Sequence, residues 1–259
     1  YLGEHYGWRF AFYLFGGIGL FYTLILIWRL PPSIITRESS TSFVQSKKFI
    51  KEAFKLLFTK PSTILLGFSF VCLVFVNVGY LTWMPTFLHE KFNQSLTDAG
   101  FSSMFYHHVF AFIGIIFGGI LSDKLALKSK YYRLMMQAAG LLFGAPFIYW
   151  MGQSSSLISV YIGLAGFGLG RGIYEANFVT TLFATIEPKY RASLNGLVFL
   201  FVFAIGSISP YLLGLFKQSF GLSNGLSSLG IAYILGGLCV LITWKWFFRK
   251  DCVPESIEK

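Results

Sequence analysis

The sequence predicts an all-α membrane protein with seven transmembrane helices. Three observations carry that reading. The 259 residues are 55% hydrophobic and only 12% charged, where soluble chains carry about 25% charge. The apolar residues lie in continuous runs of the length that crosses a bilayer, about 20 residues. The lysines and arginines are sorted into alternate loops between those runs. A soluble helical domain of this size could not hide 30 phenylalanines and is set aside.

The runs lie at 9–30, 63–88, 101–122, 133–152, 157–183, 192–216 and 226–248. They are continuous and not alternating, which favours helices over barrel strands, and helices satisfy their own backbone groups in lipid. Glycines recur at GxxxG spacing in Gly114/Gly118, Gly166/Gly170 and Gly168/Gly172. Small residues at that spacing let membrane helices approach closely. Cys72, Cys239 and Cys252 form no framework and no CxxC pair, so neither a disulfide nor a zinc site is expected.

Charge sets the orientation. One set of loops holds Arg29, Arg37, Lys47, Lys48, Lys51, Lys55 and Lys60, then Lys124, Lys128, Lys130 and Arg133, then Lys189 and Arg191, then Lys245, Arg249, Lys250 and Lys259. The opposite set holds Arg9, Lys91 and Lys217. Positive loops stay in the cytoplasm. The net charge of +10 therefore reports topology, and a nucleic-acid partner is not expected. The lipid bilayer is the expected surrounding, with the carboxy terminus cytoplasmic and a bacterial inner membrane as the expected location.

The polar stretch 31–62 reads as a cytoplasmic linker. Within it, "KKFIKEAFKLLF" (47–58) gathers Phe49, Ile50, Ala53, Phe54, Leu57 and Phe58 on one helical face. That pattern suits a helix lying on anionic lipid or one packed on the protein. The chain opens at Tyr1, and no signal peptide precedes the first run, so a fragment lacking its amino-terminal part is expected.

Four features coincide. They are "GWRFAFYLFGGIG" (7–19), "GGILSDKLALKSK" (118–130), "IEPKYRASLNGL" (186–197) and the basic linker after the first run. Together they resemble the major facilitator superfamily. The resemblance implies that residues 1–30 are the last helix of a missing amino-terminal bundle and 31–62 the central linker. It implies that 63–248 form the carboxy-terminal six-helix bundle, one half of such a transporter, with 249–259 a cytoplasmic tail. The loop motif of that family continues with Gly and Arg where this chain has Ala126 and Leu127. "GRGIYEAN" with "PKYRASLNG" is similar to the anion:cation symporter branch, which implies sugar acids or other organic anions as substrates.

On that resemblance Asp123, with Lys124 beside it, ends the third span at the cytoplasmic gate. Arg191 opens the sixth span on the same side. A carboxylate there can accept from a helix amino terminus and pair with a basic side chain; a solvated topology charge is the alternative. Asn77 and Tyr80, one turn apart in the second span, fall on a helix that lines the family's cavity. They could meet a solute or each other's neighbours. His107 shares its face with Ala111, Gly114 and Gly118, which suits the interior. His108 shares its face with Phe112 and Ile115, which suits lipid. His107 could relay protons or simply be hydrogen-bonded.

Arg171 and Glu175 carry the sharpest signal. Counted from the outer end of their span they lie about 20 and 27 Å deep, one turn apart on one face. A lone charge at that depth costs about 2.5–3.5 kcal/mol, which pairing offsets. An anion that competes for Arg171 would leave Glu175 to take a proton. The glycine-rich "GFGLGRG" sits inside a membrane helix with no preceding strand, so a dinucleotide reading fails. No HExxH, nucleophile elbow or phosphate loop occurs. An enzyme is not expected, and neither is a cofactor or metal.

The expected activity is secondary active transport of a small organic anion by alternating access, with the proton as coupling ion. Two alternatives stay open: a uniporter or exporter of an uncharged or lipid-like solute, and a transporter-like solute receptor that signals through the 47–58 segment. The orientation has a direct test. The 31–62 loop, the 123–133 loop and the tail should be cytoplasmic, and 89–99 outside. A membrane-impermeant thiol reagent applied to sealed cells should modify Asn93→Cys and spare Ser46→Cys; labelling of position 46 would reverse the topology.

Overall fold

The computed structural model describes residues 2–29, 52 and 54–253. Two compact units emerge, Tyr1–Lys51 and Glu52–Lys259. In the first, a helical turn Leu2–His5 precedes α1, Trp8–Arg29. In the second, α2 spans Pro61–Phe92, α3 Leu96–Ala126, α4 Tyr132–Gln153 and α5 Leu157–Ala184. A 3-10 turn, Pro188–Tyr190, leads into α6, Arg191–Gly206, followed by α7, Ser209–Phe220, and α8, Leu222–Ile242. The chain then continues through a π-helical stretch, Thr243–Phe247, to Asp251. Among the described residues, seven helical stretches are long and apolar enough to cross a membrane, with mean hydropathy from 1.3 to 2.3.

Several boundaries differ from the apolar runs. The 32 residues of α2 and 31 of α3 reach about 45 Å at 1.5 Å per residue, beyond a hydrocarbon core of about 30 Å. A helix needs apolar side chains only within lipid, so its polar ends are invisible to a hydropathy reading. The outer loop predicted at 89–99 shrinks accordingly. Asn93, in the left-handed region at φ 52°, ends α2, and the Ser95 hydroxyl caps α3 by accepting from the Asp98 amide at 3.0 Å. The sixth run is not one continuous helix: it breaks at Ser207–Ile208. Pro210 supplies no amide hydrogen, and its ring clashes with the carbonyl four residues back, which is that of Gly206.

α5 lies between α3 and α4, and α8 between α4 and α2, with α6 and α7 against α2. The offset glycine pairs of α5 explain its central place. A Cβ on Gly168 or Gly172 would run into the main-chain oxygens of His107 and Ala111 on α3. Gly114 and Gly118 answer from α3, against Leu169 and Ile173. Gly170 faces Gly140 and Gly144 of α4, and Gly166 faces the Phe147 ring. One helix thus presents two small-residue rows to two neighbours, and its backbone comes close to both. The buried face of α3 is Ala99, Ser102, Ser103, Ala111, Gly114, Gly118 and Ser122, with His107 the one ring among them. Its other face, including Phe112, Ile115 and Ile116, is exposed, as lipid contact requires.

At the predicted cytoplasmic end, three elements are tied at one point. Lys60 Nζ donates to the carbonyls of Thr185 at 2.8 Å and Asp251 at 2.9 Å. Asp251 Oδ2 accepts from the Ser62 amide at 2.9 Å, and the Val253 amide donates to the Ala184 carbonyl at 2.9 Å. Half of the 47–58 segment and most of the 31–62 linker lie outside the described residues. Its described end packs on the bundle: the Phe54 and Phe58 rings lie 6.0 and 6.3 Å from Phe201, and Tyr190 donates to Glu52 Oε2 at 2.8 Å.

Gly172→Ala should lower the thermal midpoint in detergent, because overpacking at a backbone contact costs about 1–3 kcal/mol. Gly67→Ala, where no atom stands within 4 Å of the new Cβ, should match or exceed the native midpoint.

Candidate functional site

The site is assembled around one side chain. Arg171 sits on α5 between the close contacts of Gly168, Gly170 and Gly172, so its side chain leaves the helix where α3 and α2 are within reach. Its Nε donates to Glu175 Oε1 at 2.9 Å. Its Nη1 donates to Asn77 Oδ1 on α2 at 3.1 Å and to His107 Nε2 on α3 at 3.0 Å. Among the described residues none accepts from Nη2. The side chains of Arg171 and Glu175 are 16% and 26% exposed, so the pair is sunk into the bundle but open on one side.

Guanidinium chemistry fixes the state of its neighbours. Arginine only donates, so Asn77 turns its oxygen toward Arg171, and His107 Nε2 presents a lone pair. The proton of the neutral His107 ring is therefore on Nδ1, for which no hydrogen-bond partner is found among the described residues. His107 is fully buried, while His108 is exposed with its Nδ1 against the Met104 carbonyl at 3.0 Å. The two adjacent histidines thus part into interior and lipid-facing sides.

Tyr80 supports the cluster from beneath. Its ring centroid lies 4.8 Å from that of His107, and its hydroxyl donates to the Ser103 carbonyl across the α2–α3 contact. With that donor engaged and the side chain fully buried, Tyr80 ties α2 to α3. Two aromatics complete the floor. Phe167 lies 4.4 Å from His107 and 5.3 Å from Tyr80, and Tyr233 of α8 lies 5.4 Å from Phe167. Sequence reasoning did not find them, because an aromatic in an apolar run gives no sign of facing a charge. Tyr174, one residue before Glu175, bonds to Ser69 Oγ at 2.6 Å and anchors α5 to α2.

The predicted gate residues lie apart from this cluster. Asp123, Arg133 and Arg191 line a cavity of about 1160 Å³ with Lys130, Glu187 and Lys189. Val179, its lining residue nearest to the cluster along α5, is one turn beyond Glu175. Asp123 Oδ1 accepts from Arg133 Nη2 at 2.6 Å. Its partner is thus on the neighbouring helix α4, across the short 127–131 connection, and Arg191 instead donates to the Ile186 carbonyl at 3.4 Å. Lys124 is exposed next to Asp123.

A bundle of apolar helices around an arginine-centred polar cluster defines an integral membrane protein. The Major Facilitator Superfamily description matches residues 1–210, and the chain belongs to that family. A probable small intestine urate exporter of Mus musculus is 26% identical over 265 residues, covering 91% of this chain and 51% of that protein. A probable galactarate/D-glucarate transporter of Bacillus subtilis is 30% identical over 159 residues, covering 60% of this chain and 34% of that protein. A crystal structure of a bacterial homolog to the human lysosomal transporter Spinster, inward-facing and unoccupied, superposes with a TM-score of 0.75 at 18% identity. It covers 96% of this chain and 61% of that chain, and it shows a shared fold. The chain spans about half the length of the urate exporter.

Proposed function

We propose that this chain serves in a secondary transporter that carries a small organic anion, of the sugar-acid or carboxylate class, together with a proton by alternating access. The observation that carries the reading is the division of the Arg171 fork. Nε is held by Glu175 and Nη1 by Asn77 and His107, while Nη2 keeps its donors for a ligand. A carboxylate that binds across Nη2 and Nε takes two parallel hydrogen bonds and displaces Glu175. Glu175, left without its cation at membrane depth, takes up a proton. The site then contains one anion on one cation and a neutral acid, so its charge matches that of the empty pair. The names of the relatives support the substrate class, since galactarate, D-glucarate and urate are organic anions. The charge placement in the loops supports a cytoplasmic carboxy terminus.

The cytoplasmic gate belongs to the same reading. The 123–133 loop and the α6 amino terminus border the 1160 Å³ cavity, and the Asp123–Arg133 pair holds the α3–α4 corner beside it. Rocking of this bundle against a partner bundle would carry that corner with it, toward or away from the partner.

Labelled galactarate is the probe. Arg171→Ala should weaken its binding by at least about thirtyfold, since truncating one partner of a buried hydrogen-bonded charge pair costs about 2–5 kcal/mol. Arg171→Lys should bind at an intermediate level, because a point charge replaces the fork. Glu175→Gln should exchange the monoanion gluconate across vesicle membranes yet fail to accumulate it on a pH gradient. Proton-driven accumulation by an Arg171→Leu, Glu175→Leu double variant would reduce the pair to a structural ion pair.

Asp123→Asn should lower transport several-fold. Its carboxylate is largely exposed, with 66% of the side chain accessible, so thermal stability should move by less than about 1 kcal/mol. Undiminished uptake at equal expression would leave Asp123 a topology charge.

A further inference from the structure

The bond from Arg171 to His107 has a consequence beyond the Arg171–Glu175 pair. Two acceptors capable of holding a proton, Glu175 and His107, are bound by the same guanidinium, at Nε and at Nη1. Each is kept from a proton by the hydrogen bond it receives. Protonating His107 Nε2 while Arg171 donates to it would remove the acceptor and set two cations 3.0 Å apart. A ligand that engages both edges of the fork, Nη1–Nη2 as well as Nε, removes both blocks together.

The groups around His107 allow this. From α5 it faces Arg171 and the Phe167 ring, with Glu175 behind Arg171. From α2 it faces Tyr80, whose proton is engaged at Ser103, and Asn77 shares the same Nη1. On its own helix His108 lies edge-on at 5.1 Å. Among these described groups Arg171 is the one fixed cation, so an anion bound to Arg171 is what admits a second positive charge. The empty cluster holds +1 on Arg171, −1 on Glu175 and a neutral His107, a sum of zero. A dianion with both acceptors protonated restores that zero: −2 on the ligand, +1 on Arg171, none on Glu175 and +1 on His107. A monoanion reaches zero with the Glu175 proton alone. In a medium where uncompensated charge is expensive, the cluster has acceptors enough for a dianion.

We propose that His107 is a second proton acceptor of the site, released when the ligand takes Arg171 Nη1, so that a dicarboxylate is bound with two protons. This rests on the reading of Arg171 as the anion-binding group. In each protonation a proton from water adds to a nitrogen or oxygen lone pair, and no covalent bond of the ligand is broken.

The test uses galactarate as the dianion and gluconate as the monoanion, with the native protein in detergent or vesicles. Proton uptake on binding should be two per galactarate and one per gluconate. Uptake of protons makes affinity fall as pH rises, by ~100-fold per pH unit for two protons and ~10-fold for one. His107→Gln keeps an acceptor for Arg171 but cannot hold the proton; it should bind galactarate with one proton and the shallower slope. Imidazole nitrogen-15 resonances of the native protein give a reading that needs no variant. His107 should have a bare Nε2 when empty and two protonated nitrogens with galactarate. Two protons per galactarate in His107→Gln, or a His107 that stays neutral in the bound native protein, would overturn the proposal and leave Arg171 as the anion site. Binding of neither sugar acid by the native protein would overturn both.

Discussion

Arg171 carries a charge that cannot be lost, at a depth where water does not reach it freely. Three helices are placed to supply acceptors. Glu175 comes from its own helix, Asn77 from α2 and His107 from α3. Each hydrogen bond to a charged group is worth about 1.5–3 kcal/mol, comparable with the insertion cost of the arginine itself. Removing the cation would therefore leave three oriented acceptors without a donor. The cluster is first a constraint on three helices, and under the proposed reading a ligand anion competes with groups that are already well matched.

That competition is possible because α5 sits so close to its neighbours. Hydrogen bonds of about 3 Å from one side chain to two other helices require short axis-to-axis distances. The glycine rows at 166/170 and 168/172 provide them, since a Cβ at these places would overlap the backbone or side chains opposite. The same close approach makes α3 present small residues toward α5, leaving His107 as the one ring in that wall. Packing and chemistry are thus coupled: a change in the glycine register would withdraw His107 from Arg171 without touching either residue.

The end predicted to be cytoplasmic is built on another principle. Its charges are more exposed, its ion pairs join short connections, and its main-chain ties come from Lys60 and Asp251. Exposed pairs are weak and easily exchanged. Contacts of that strength suit the proposed gate, whereas the centre of the bundle is closely packed and largely buried.

The number of spans, their helical character and the sorting of charge were legible in the linear order of residues, because lipid imposes length and apolarity on each helix separately. Arg171 and Glu175 were legible for the same reason: two charges one turn apart in an apolar run already interact within a single helix. The interior placement of His107 followed from the small residues on its face. What depended on the rotation of one helix against another was not legible. The engagement of the Tyr80 hydroxyl by Ser103, the pairing of Asp123 with Arg133 and not with Arg191, and the Phe167–Tyr233 floor all arise between helices far apart in sequence. Hydropathy records whether a residue meets lipid or protein, but it contains no term for which neighbour it meets. The break before Pro210 was written in the sequence, yet the apolar run masked it. Only the packed bundle, in which α5 brings its backbone against α3 and α4 at once, decided that one guanidinium would hold Glu175, Asn77 and His107 together.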